Sequence, residues 1–326
     1  MINFSIIGAG GMGSAYAKII SSLPDAKVRY ICDKDLSRAE RLAKTYNARY
    51  TSDIKEAVRS EEVDAIIVTT PPFVRREIFT FAVEYNKPIY CEKPLSTNYR
   101  SALELYKIVH DKIPLMMGFV LRWWPVYEFI KEKLPKLGRL SFAYFTVIGN
   151  WLTLVNRTPW RKKKELNSGI MEQAIHEIDI ARYLFGEAKQ VYAIGNNFII
   201  PNINYEDSIV ISLTFEDGAV AGISCSVASR IGRRDGLIVA EKGTIYFDTH
   251  EQYVKFVDEE GNIEEEKMGF KEDPYRKEIL EFIRYITENR APRATVVDGL
   301  KAQEIAEAAE ISIKEDRPIN LPLKIG

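Results

Sequence analysis

The chain has 326 residues, a length for which two domains are the natural expectation. Its 45 Lys and Arg residues nearly balance its 46 Asp and Glu residues, which leaves a formal charge of −1 and argues against a nucleic-acid partner. Glycines interrupt the apolar N-terminal segment, and no basic start of a signal peptide precedes it, which argues against secretion and against a membrane span. We therefore expect a cytoplasmic globular protein, in which Cys32, Cys91 and Cys225 are separate buried thiols.

Short β-branched segments alternate with amphipathic helical segments through the first 120 residues. Strands are predicted at residues 4–8, 28–33, 64–69, 88–92 and 115–118, and helices at residues 12–22, 36–46, 74–85 and 99–111. Ser37 and Glu40 have the S-x-x-E spacing of a capping box at the start of the second helix. Regular alternation with short connections predicts an α/β fold with a doubly wound parallel sheet.

The pattern changes after Gly118. Helices are predicted at residues 125–134, 169–185, 275–288 and 297–314, and strands at residues 140–151, 191–199, 208–215, 219–227, 236–241, 244–247 and 253–257. Turns such as Glu216-Asp217-Gly218 join these strands and predict a mostly antiparallel sheet. The predicted domains are residues 1–120 and 121–326, with the final helices able to pack back on the first domain.

A glycine-rich segment follows the first predicted strand and opens the first predicted helix. Gly8, Gly10 and Gly13 have the G-x-G-x-x-G spacing, and Gly11 and Met12 complete the loop. The first glycine permits a tight turn, the second a close approach of the backbone to a pyrophosphate, and the third close helix–strand packing. The phosphates would lie at the positive end of the helix dipole. The loop is a predicted dinucleotide-binding site.

Asp33 ends the second predicted strand, 20 residues after the last glycine of the motif. This spacing is typical of the acidic residue that binds the adenine ribose. A carboxylate there accepts the 2′-hydroxyl and repels a 2′-phosphate, which favours NAD over NADP. Lys34 and Arg38 are near enough in sequence to weaken that preference, so NADP stays open as a cofactor. The alternative is a helix-capping Asp in an α/β fold without a cofactor.

Two further segments follow inner strands of the predicted parallel sheet. One is Thr69-Thr70-Pro71-Pro72, and the other is Glu92-Lys93-Pro94. Open α/β sheets bind their ligands at the carboxyl ends of the strands, so both segments are candidates for cofactor binding. Lys93 would direct an ammonium group into this crevice, although an ordinary exposed lysine at a strand end fits its position equally well.

Glu172, His176 and Asp179 have the i, i+4, i+7 spacing that stacks side chains on one helix face. Carboxylates on either side can hold a proton-transfer histidine in one tautomer. A surface row of ion pairs is the alternative, and the spacing does not predict a metal site. The basic segment Arg161-Lys162-Lys163-Lys164 is either a solvated loop or a site that attracts an anionic substrate or the cofactor phosphates. Trp160 borders this segment.

In this order, the motifs resemble the glucose–fructose oxidoreductase / inositol dehydrogenase / MocA (Gfo/Idh/MocA) family over nearly the whole chain. The resemblance is carried by Gly8–Gly13, Asp33, residues 64–72, Glu92-Lys93-Pro94-Leu95, Gly118–Arg122, Trp160-Arg161 and residues 168–179. It implies a Rossmann domain followed by an α+β domain whose large open sheet usually mediates homodimers or homotetramers.

The resemblance also implies NAD or NADP as cofactor and hydride transfer at a carbinol carbon of a sugar, cyclitol or related polyol. Lys93 would orient the reacting hydroxyl, His176 would take its proton, and Asp179 would orient the imidazole. The other residues implied to contact substrate are Arg122, Trp160, Arg161 and Glu172. Position 172 is usually Asp in the inositol dehydrogenase branch, Ala174 replaces a common Gly, and Arg75 replaces a His of many relatives.

Three other functions stay open at this point. One is a sugar–sugar oxidoreductase that retains its cofactor, and another is an oxidoreductase of a nucleotide-sugar, which the basic residues 157–164 would attract. The third is a catalytically silent dinucleotide sensor, which would need neither Lys93 nor His176.

Overall fold

The computed structural model describes residues 1–324, so the last two residues of the predicted second domain lie outside this range. The chain forms two compact units. The first contains Met1–Ser96, Arg100–Val120 and Glu272–Leu300, and the second contains Thr97–Tyr99, Leu121–Lys271 and the chain from Lys301 onward. The first unit therefore takes in a helical segment from near the end of the chain.

In chain order, the helices are α1 (Gly11–Ser21), α2 (Leu36–Tyr46), α3 (Ile54–Arg59), α4 (Arg75–Glu84), α5 (Tyr99–Val109), α6 (Pro125–Lys133), α7 (Leu152–Arg157), α8 (Lys164–Asn167), α9 (Met171–Phe185), α10 (Pro274–Glu288) and α11 (Val296–Glu315). The predicted capping box of α2 is wrong. Asp35 is the N-cap, and its side chain accepts a hydrogen bond from the backbone N–H of Arg38. Asp is among the best N-cap residues, and here it precedes the serine that the pattern had singled out.

The sheet of the first unit confirms the predicted doubly wound architecture. Its strands are β1 (Ile2–Ile7), β2 (Ala26–Cys32), β3 (Arg49–Thr51), β4 (Ala65–Val68), β5 (Ile89–Glu92) and β6 (Leu115–Gly118). Within the described residues they pair in parallel, in the order β3-β2-β1-β4-β5-β6. Every residue of β4, β5 and β6 is buried, because helices cover both faces of such a sheet.

The second unit contains the predicted, mostly antiparallel sheet. Its strands are β7 (Leu140–Asn150), β8 (Ala188–Asn196), β9 (Ser208–Phe215), β10 (Val220–Ser226), β11 (Ala228–Ala240), β12 (Gly243–Asp248), β13 (Tyr253–Asp258), β14 (Ile263–Lys267) and β15 (Ile319–Asn320). In residues 1–324 their order is β14-β13-β12-β11-β7-β10-β9-β8-β15, and β7 with β10 is the parallel pair. The helix α9 packs against β7 and β10.

Cys32, Cys91 and Cys225 are buried thiols, as predicted. None of the helices described in residues 1–324 combines the length and the apolar character needed to cross a membrane.

Candidate active site

The glycine loop between β1 and α1 has the geometry that the motif predicts. Gly8 adopts φ +109°, a conformation that residues with a side chain rarely adopt. A Cβ on Gly13 would lie 1.9 Å from the carbonyl oxygen of Gly8, so any larger residue would separate the helix from the strand. A Cβ on Gly10 or Gly11 would meet nothing within 4 Å, so these two glycines border open space.

The start of α1 fits a dinucleotide pyrophosphate. The N-cap residue is Gly10, and no side chain caps the helix there. The backbone N–H groups of a first helical turn have no partner within the helix, and they favour an anion together with the helix dipole. Because Gly10 and Gly11 have no side chains, the space beside the start of the helix stays open to a ligand. The loop therefore supplies hydrogen-bond donors, a positive electrostatic potential and open space for an anion.

Asp33 follows β2 and is tied directly to this loop. Its Oδ2 accepts a hydrogen bond of 2.8 Å from the backbone N–H of Ala9, and its Oδ1 accepts one of 2.9 Å from the N–H of Asp35. A guanidinium nitrogen of Arg38 lies 3.9 Å from Oδ2, while Lys34 is exposed. The predicted ribose-binding carboxylate thus lies beside the predicted phosphate loop, with one nearby cation.

The segment after β4 contacts the same loop. The Thr69 hydroxyl donates to the carbonyl oxygen of Gly8 over 2.7 Å. Thr70, Pro71 and Pro72 follow, and a short 3₁₀ turn begins at Pro72. This places Thr69 against the loop and the next three residues at the carboxyl edge of the sheet, where cofactor binding was predicted.

Arg75 has a role that the sequence did not reveal. Its side chain is buried, and its guanidinium donates to the carbonyl oxygens of Thr70, at 3.0 Å, and of Pro94 and Leu95. It joins the segment after β4 to the segment after β5. The departure from the family pattern at this position was visible in the sequence, but the partners are backbone atoms, which leave no residue-type signal.

Glu92 and Lys93 end β5, but their environments differ. Glu92 is buried, and it accepts a 2.6 Å hydrogen bond from the Tyr16 hydroxyl and a longer one from the backbone N–H of Lys93. Burial raises the pKa of its carboxyl group, and the Tyr16 hydrogen bond and the charge of Lys93 oppose that rise. Lys93 is half-buried and precedes a cis peptide bond to Pro94. Glu92 therefore packs inside the first unit, and its contact with the cofactor stays a prediction.

In the second unit, α9 carries the predicted face of Glu172, His176 and Asp179. Glu172 is buried and receives the Arg161 guanidinium, whose Nε lies 3.0 Å from Oε2. Arg161 also lies over the Trp160 ring, with its Cζ 4.3 Å from the ring centroid. The predicted substrate contacts Trp160, Arg161 and Glu172 therefore form one cluster.

Asp179 forms a second, deeper ion pair. Arg122 Nε donates to one carboxylate oxygen over 2.9 Å and its Nη2 to the other over 2.6 Å, and the two side chains are 2% and 1% exposed. The Arg122 guanidinium also lies 4.5 Å from the centroid of the Tyr183 ring. A two-point pair of this kind holds a carboxylate in one orientation. Arg122 is thus an internal partner of Asp179, an environment that differs from the predicted contact with substrate.

His176 is half-buried and lies about one helical turn from each carboxylate of the face. Each of these carboxylates forms an ion pair with a guanidinium. The surroundings of the imidazole are therefore polar, and the negative charges in them are largely neutralised. Histidine is the side chain whose ordinary pKa allows proton exchange near neutral pH. The arrangement can hold an imidazole in place and let it accept a proton.

The basic segment is ordered and partly neutralised. Residues Pro159–Lys162 form a 3₁₀ turn, and α8 begins at Lys164. Arg161 pairs with Glu172, and Lys164 Nζ lies 2.9 Å from a carboxylate oxygen of Glu310. Two of the four cations are therefore engaged inside the second unit.

A parallel sheet in this strand order, with a glycine loop and a strand-end acid, defines a dinucleotide-binding domain. The family model described as "Oxidoreductase family, NAD-binding Rossmann fold" matches residues 2–119, and the model described as "Oxidoreductase family, C-terminal alpha/beta domain" matches residues 136–321. The chain belongs to the Gfo/Idh/MocA family of oxidoreductases.

Curated relatives match over nearly the whole chain. An uncharacterized oxidoreductase, YrbE, of Bacillus subtilis is 30% identical, with 97% of this chain and 95% of the relative covered. The scyllo-inositol 2-dehydrogenase (NAD(+)) of the same organism is 25% identical, with 99% and 97% covered. Myo-inositol 2-dehydrogenase of Thermotoga maritima is 25% identical over the full length of both chains.

Solved structures share the fold. Levoglucosan dehydrogenase in complex with NADH has a TM-score of 0.91 at 22% identity, with 98% of this chain and 99% of that chain covered. A putative myo-inositol dehydrogenase from Sinorhizobium meliloti has a TM-score of 0.82 at 24% identity, with 98% and 100% covered.

Proposed function

We propose that the chain is an NAD-dependent dehydrogenase that acts on a secondary alcohol or hemiacetal carbon of a sugar, cyclitol or related polyol. The observation that carries the proposal is that a member of this oxidoreductase family keeps both proton-handling side chains, Lys93 and His176. A dinucleotide sensor would need neither. The inositol and levoglucosan dehydrogenases among the similar proteins favour a polyhydroxylated substrate.

The bound nicotinamide supplies the hydride acceptor or donor, and the side chains of the chain handle the substrate and its proton. In the oxidative direction, Lys93 orients the reacting hydroxyl and stabilises the negative charge that develops on its oxygen. His176 accepts the hydroxyl proton as general base. Arg122 fixes Asp179, which in turn restrains the imidazole on the same helix face. Glu172, which pairs with the Arg161 guanidinium next to Trp160, recognises substrate hydroxyls in this proposal.

NAD is the proposed cofactor in preference to NADP. A carboxylate such as Asp33 accepts the adenine ribose 2′-hydroxyl and repels a 2′-phosphate. Hydrogen bonds from the N–H groups of Ala9 and Asp35 hold that carboxylate beside the glycine loop. The nucleotide-sugar alternative depended on the basic segment, and the engagement of Arg161 and Lys164 with carboxylates weakens it.

The substrate is found by a screen of sugars, cyclitols and sugar acids, in which NADH and NADPH formation are followed by absorbance. We expect turnover with at least one polyol, and more with NAD than with NADP. Tight NADH binding without turnover of any polyol would instead support a sensor.

On the substrate so found, His176→Ala and Lys93→Met are each expected to lower kcat by on the order of 10² to 10⁴, because each removes a proton-handling group. His110→Ala and Lys107→Met are matched controls, since both lie in or next to α5 outside the proposed chemistry. Near wild-type turnover in either test variant would refute the role given to that residue.

A further inference from the structure

Four buried side chains form an unbroken line of oxygen–oxygen contacts inside the first unit. Oε1 of Glu92 lies 2.6 Å from the Tyr16 hydroxyl, and that hydroxyl lies 2.7 Å from the Tyr90 hydroxyl. The Tyr90 hydroxyl lies 2.8 Å from Oε2 of Glu278. We name these four residues the Glu–Tyr–Tyr–Glu chain. It links the residue before Lys93 on β5, through α1, to α10.

The Glu–Tyr–Tyr–Glu chain is buried inside the protein. Tyr16, Tyr90 and Glu278 are fully buried, and Glu92 is nearly so. A Cβ on Gly118 would lie 2.8 Å from the Tyr90 hydroxyl oxygen, so the glycine leaves the room that this hydroxyl occupies. Among the described residues, the second carboxyl oxygen of Glu278 has no hydrogen-bond partner. A buried carboxylate with one oxygen unsolvated is costly, whereas a neutral carboxyl group is tolerated.

Counting hydrogens indicates that one of the two carboxyl groups in the Glu–Tyr–Tyr–Glu chain is protonated. Three contacts at hydrogen-bond distance need three hydrogens, and the two tyrosine hydroxyls supply two. If both carboxyl groups were ionised, each tyrosine would donate outward. The two phenol oxygens would then face each other at 2.7 Å with no hydrogen between them. The third hydrogen must therefore belong to Glu92 or to Glu278.

The surrounding charges shift the pKa values of the two carboxyl groups differently. Glu92 is near two cations, Lys93 and Arg75, and both lower its pKa against the effect of burial. For Glu278, burial raises the pKa well above the ordinary value, and the charges of Glu92, Glu281 and Asp273 raise it further. A hydrogen bond donated by Tyr90 to an ionised Glu278 would lower that pKa.

We propose that Glu278 is the protonated member and that every hydrogen in the chain points toward Glu92, which stays a carboxylate beside Lys93. In this arrangement Glu278 donates to Tyr90, Tyr90 to Tyr16, and Tyr16 to Glu92. The negative charge of Glu92 favours the ammonium form of Lys93, because the interaction of two charges is mutual. Tyr16, Tyr90 and Glu278 are positioning residues that act through Glu92. Their effect on catalysis rests on the function proposed for Lys93. The assignment of the proton to Glu278 does not depend on that function.

Infrared spectroscopy of the whole protein tests which carboxyl group is protonated, without any assay of activity. A protonated carboxyl group has a carbonyl stretch that a carboxylate lacks and that shifts in heavy water. At pH 9 the wild type is expected to show one such buried band, and Glu310, whose pKa burial raises to about 7, is then ionised. The band should vanish in Glu278→Gln, because the amide of the glutamine then supplies the third hydrogen. Its absence from the wild type, or its persistence in Glu278→Gln, would overturn the assignment.

The effect on Lys93 is tested by the pH dependence of kcat/KM. Tyr16→Phe removes a hydrogen bond that stabilises the Glu92 carboxylate, so Glu92 is neutralised more readily and Lys93 loses its proton more readily. We expect the alkaline limb of the profile to move down by about one pH unit. Glu278→Gln should leave the limb in place, because its amide still donates to Tyr90.

Tyr46→Phe, which removes a tyrosine hydroxyl on α2, is the matched control and should also leave the limb unmoved. An unmoved limb in Tyr16→Phe would overturn the positioning role, even with the infrared band present. If no polyol is oxidised at all, the proposed function fails, while the band still decides which carboxyl group holds the proton.

Discussion

Two arginines determine what the carboxylates of α9 can do. Arg122 lies 57 residues before Asp179, and Arg161 lies 11 residues before Glu172, yet each forms a two-point ion pair in the second unit. Burial of a carboxylate without a cation is strongly destabilising, so each guanidinium offsets the cost of burying its carboxylate partner. Spacing pointed to Glu172 and Asp179, whereas the family resemblance pointed to both arginines and implied substrate contacts for them; the structure shows their carboxylate partners inside the second unit.

At the same scale, Asp33→Asn tests the basis of cofactor choice. An asparagine oxygen can still accept from the Ala9 N–H, so the glycine loop is retained while the charge that repels a 2′-phosphate is lost. Losing a charge-assisted hydrogen bond of about 1.5 kcal/mol should weaken NAD binding about tenfold and narrow its advantage over NADP.

The measurement is the Kd of each nucleotide by titration. Asp35→Asn is the control, because it removes a neighbouring carboxylate and leaves a good N-cap for α2. Unchanged NAD affinity in Asp33→Asn would count against Asp33 as the ribose ligand.

Among the helices, length separates those that the sequence predicted from those that it missed, whereas the four-residue strands β4, β5 and β6 were predicted. The predicted bounds of α2 match the structure, and those of α9, α10 and α11 differ by one or two residues at most. Missed elements include β3, α3, α7 and α8, which have three to six residues each. Such segments contain fewer than two helical turns or two strand repeats, so no period can be read from them. They form because neighbouring elements hold them.

The helix α11 carries a pH-dependent element of stability. Glu310 is 14% exposed, and burial raises its pKa to about 7 from 4.5, although Lys164 lowers it and Glu307 and Glu206 raise it. The folded protein therefore binds this proton more tightly than the unfolded chain does. The stabilising contribution is full below the unfolded pKa and is lost as the pH rises through the folded pKa.

We expect the ionisation of Glu310 to lower the free energy of unfolding by up to about 3 kcal/mol between pH 4.5 and 8. Glu310→Gln should abolish this contribution to the pH dependence. Urea denaturation across this pH range measures it. Glu315→Gln, an exposed change on the same helix, is the control. Parallel pH profiles for the wild type and Glu310→Gln would contradict the assignment.

For the molecule as a whole, one face of the large sheet carries exposed apolar side chains. Phe142, Val210 and Val220 are about 40% exposed, and Val220 lies directly opposite Phe142 in the β7–β10 pair. Alternate residues of the same strands are buried, as expected for a sheet with one covered face. A sheet face with several exposed apolar side chains usually marks an interface. We propose that it binds a second copy of the chain, as the family resemblance implies.

The double variant Val210→Lys/Val220→Lys is expected to lower the oligomeric state, because lysines on facing copies would bring like charges together in a desolvated interface. Light scattering after gel filtration measures the mass. Leu36→Lys, which changes an equally exposed apolar residue on α2, should leave the mass unchanged. The same mass in the double variant as in the wild type would exclude this face as the interface.

Local sequence patterns were sufficient to indicate the Gfo/Idh/MocA resemblance, the parallel and antiparallel sheets, the glycine loop and the candidates Asp33, Lys93 and His176. These follow from local periodicity and from residues that must lie near each other in the chain, such as the loop glycines. The partners of Arg75, Arg122 and Arg161 and the Glu–Tyr–Tyr–Glu chain become visible only in the folded protein. Those contacts join positions far apart in sequence, and they are selected by the need to satisfy buried polar groups, which no local pattern records.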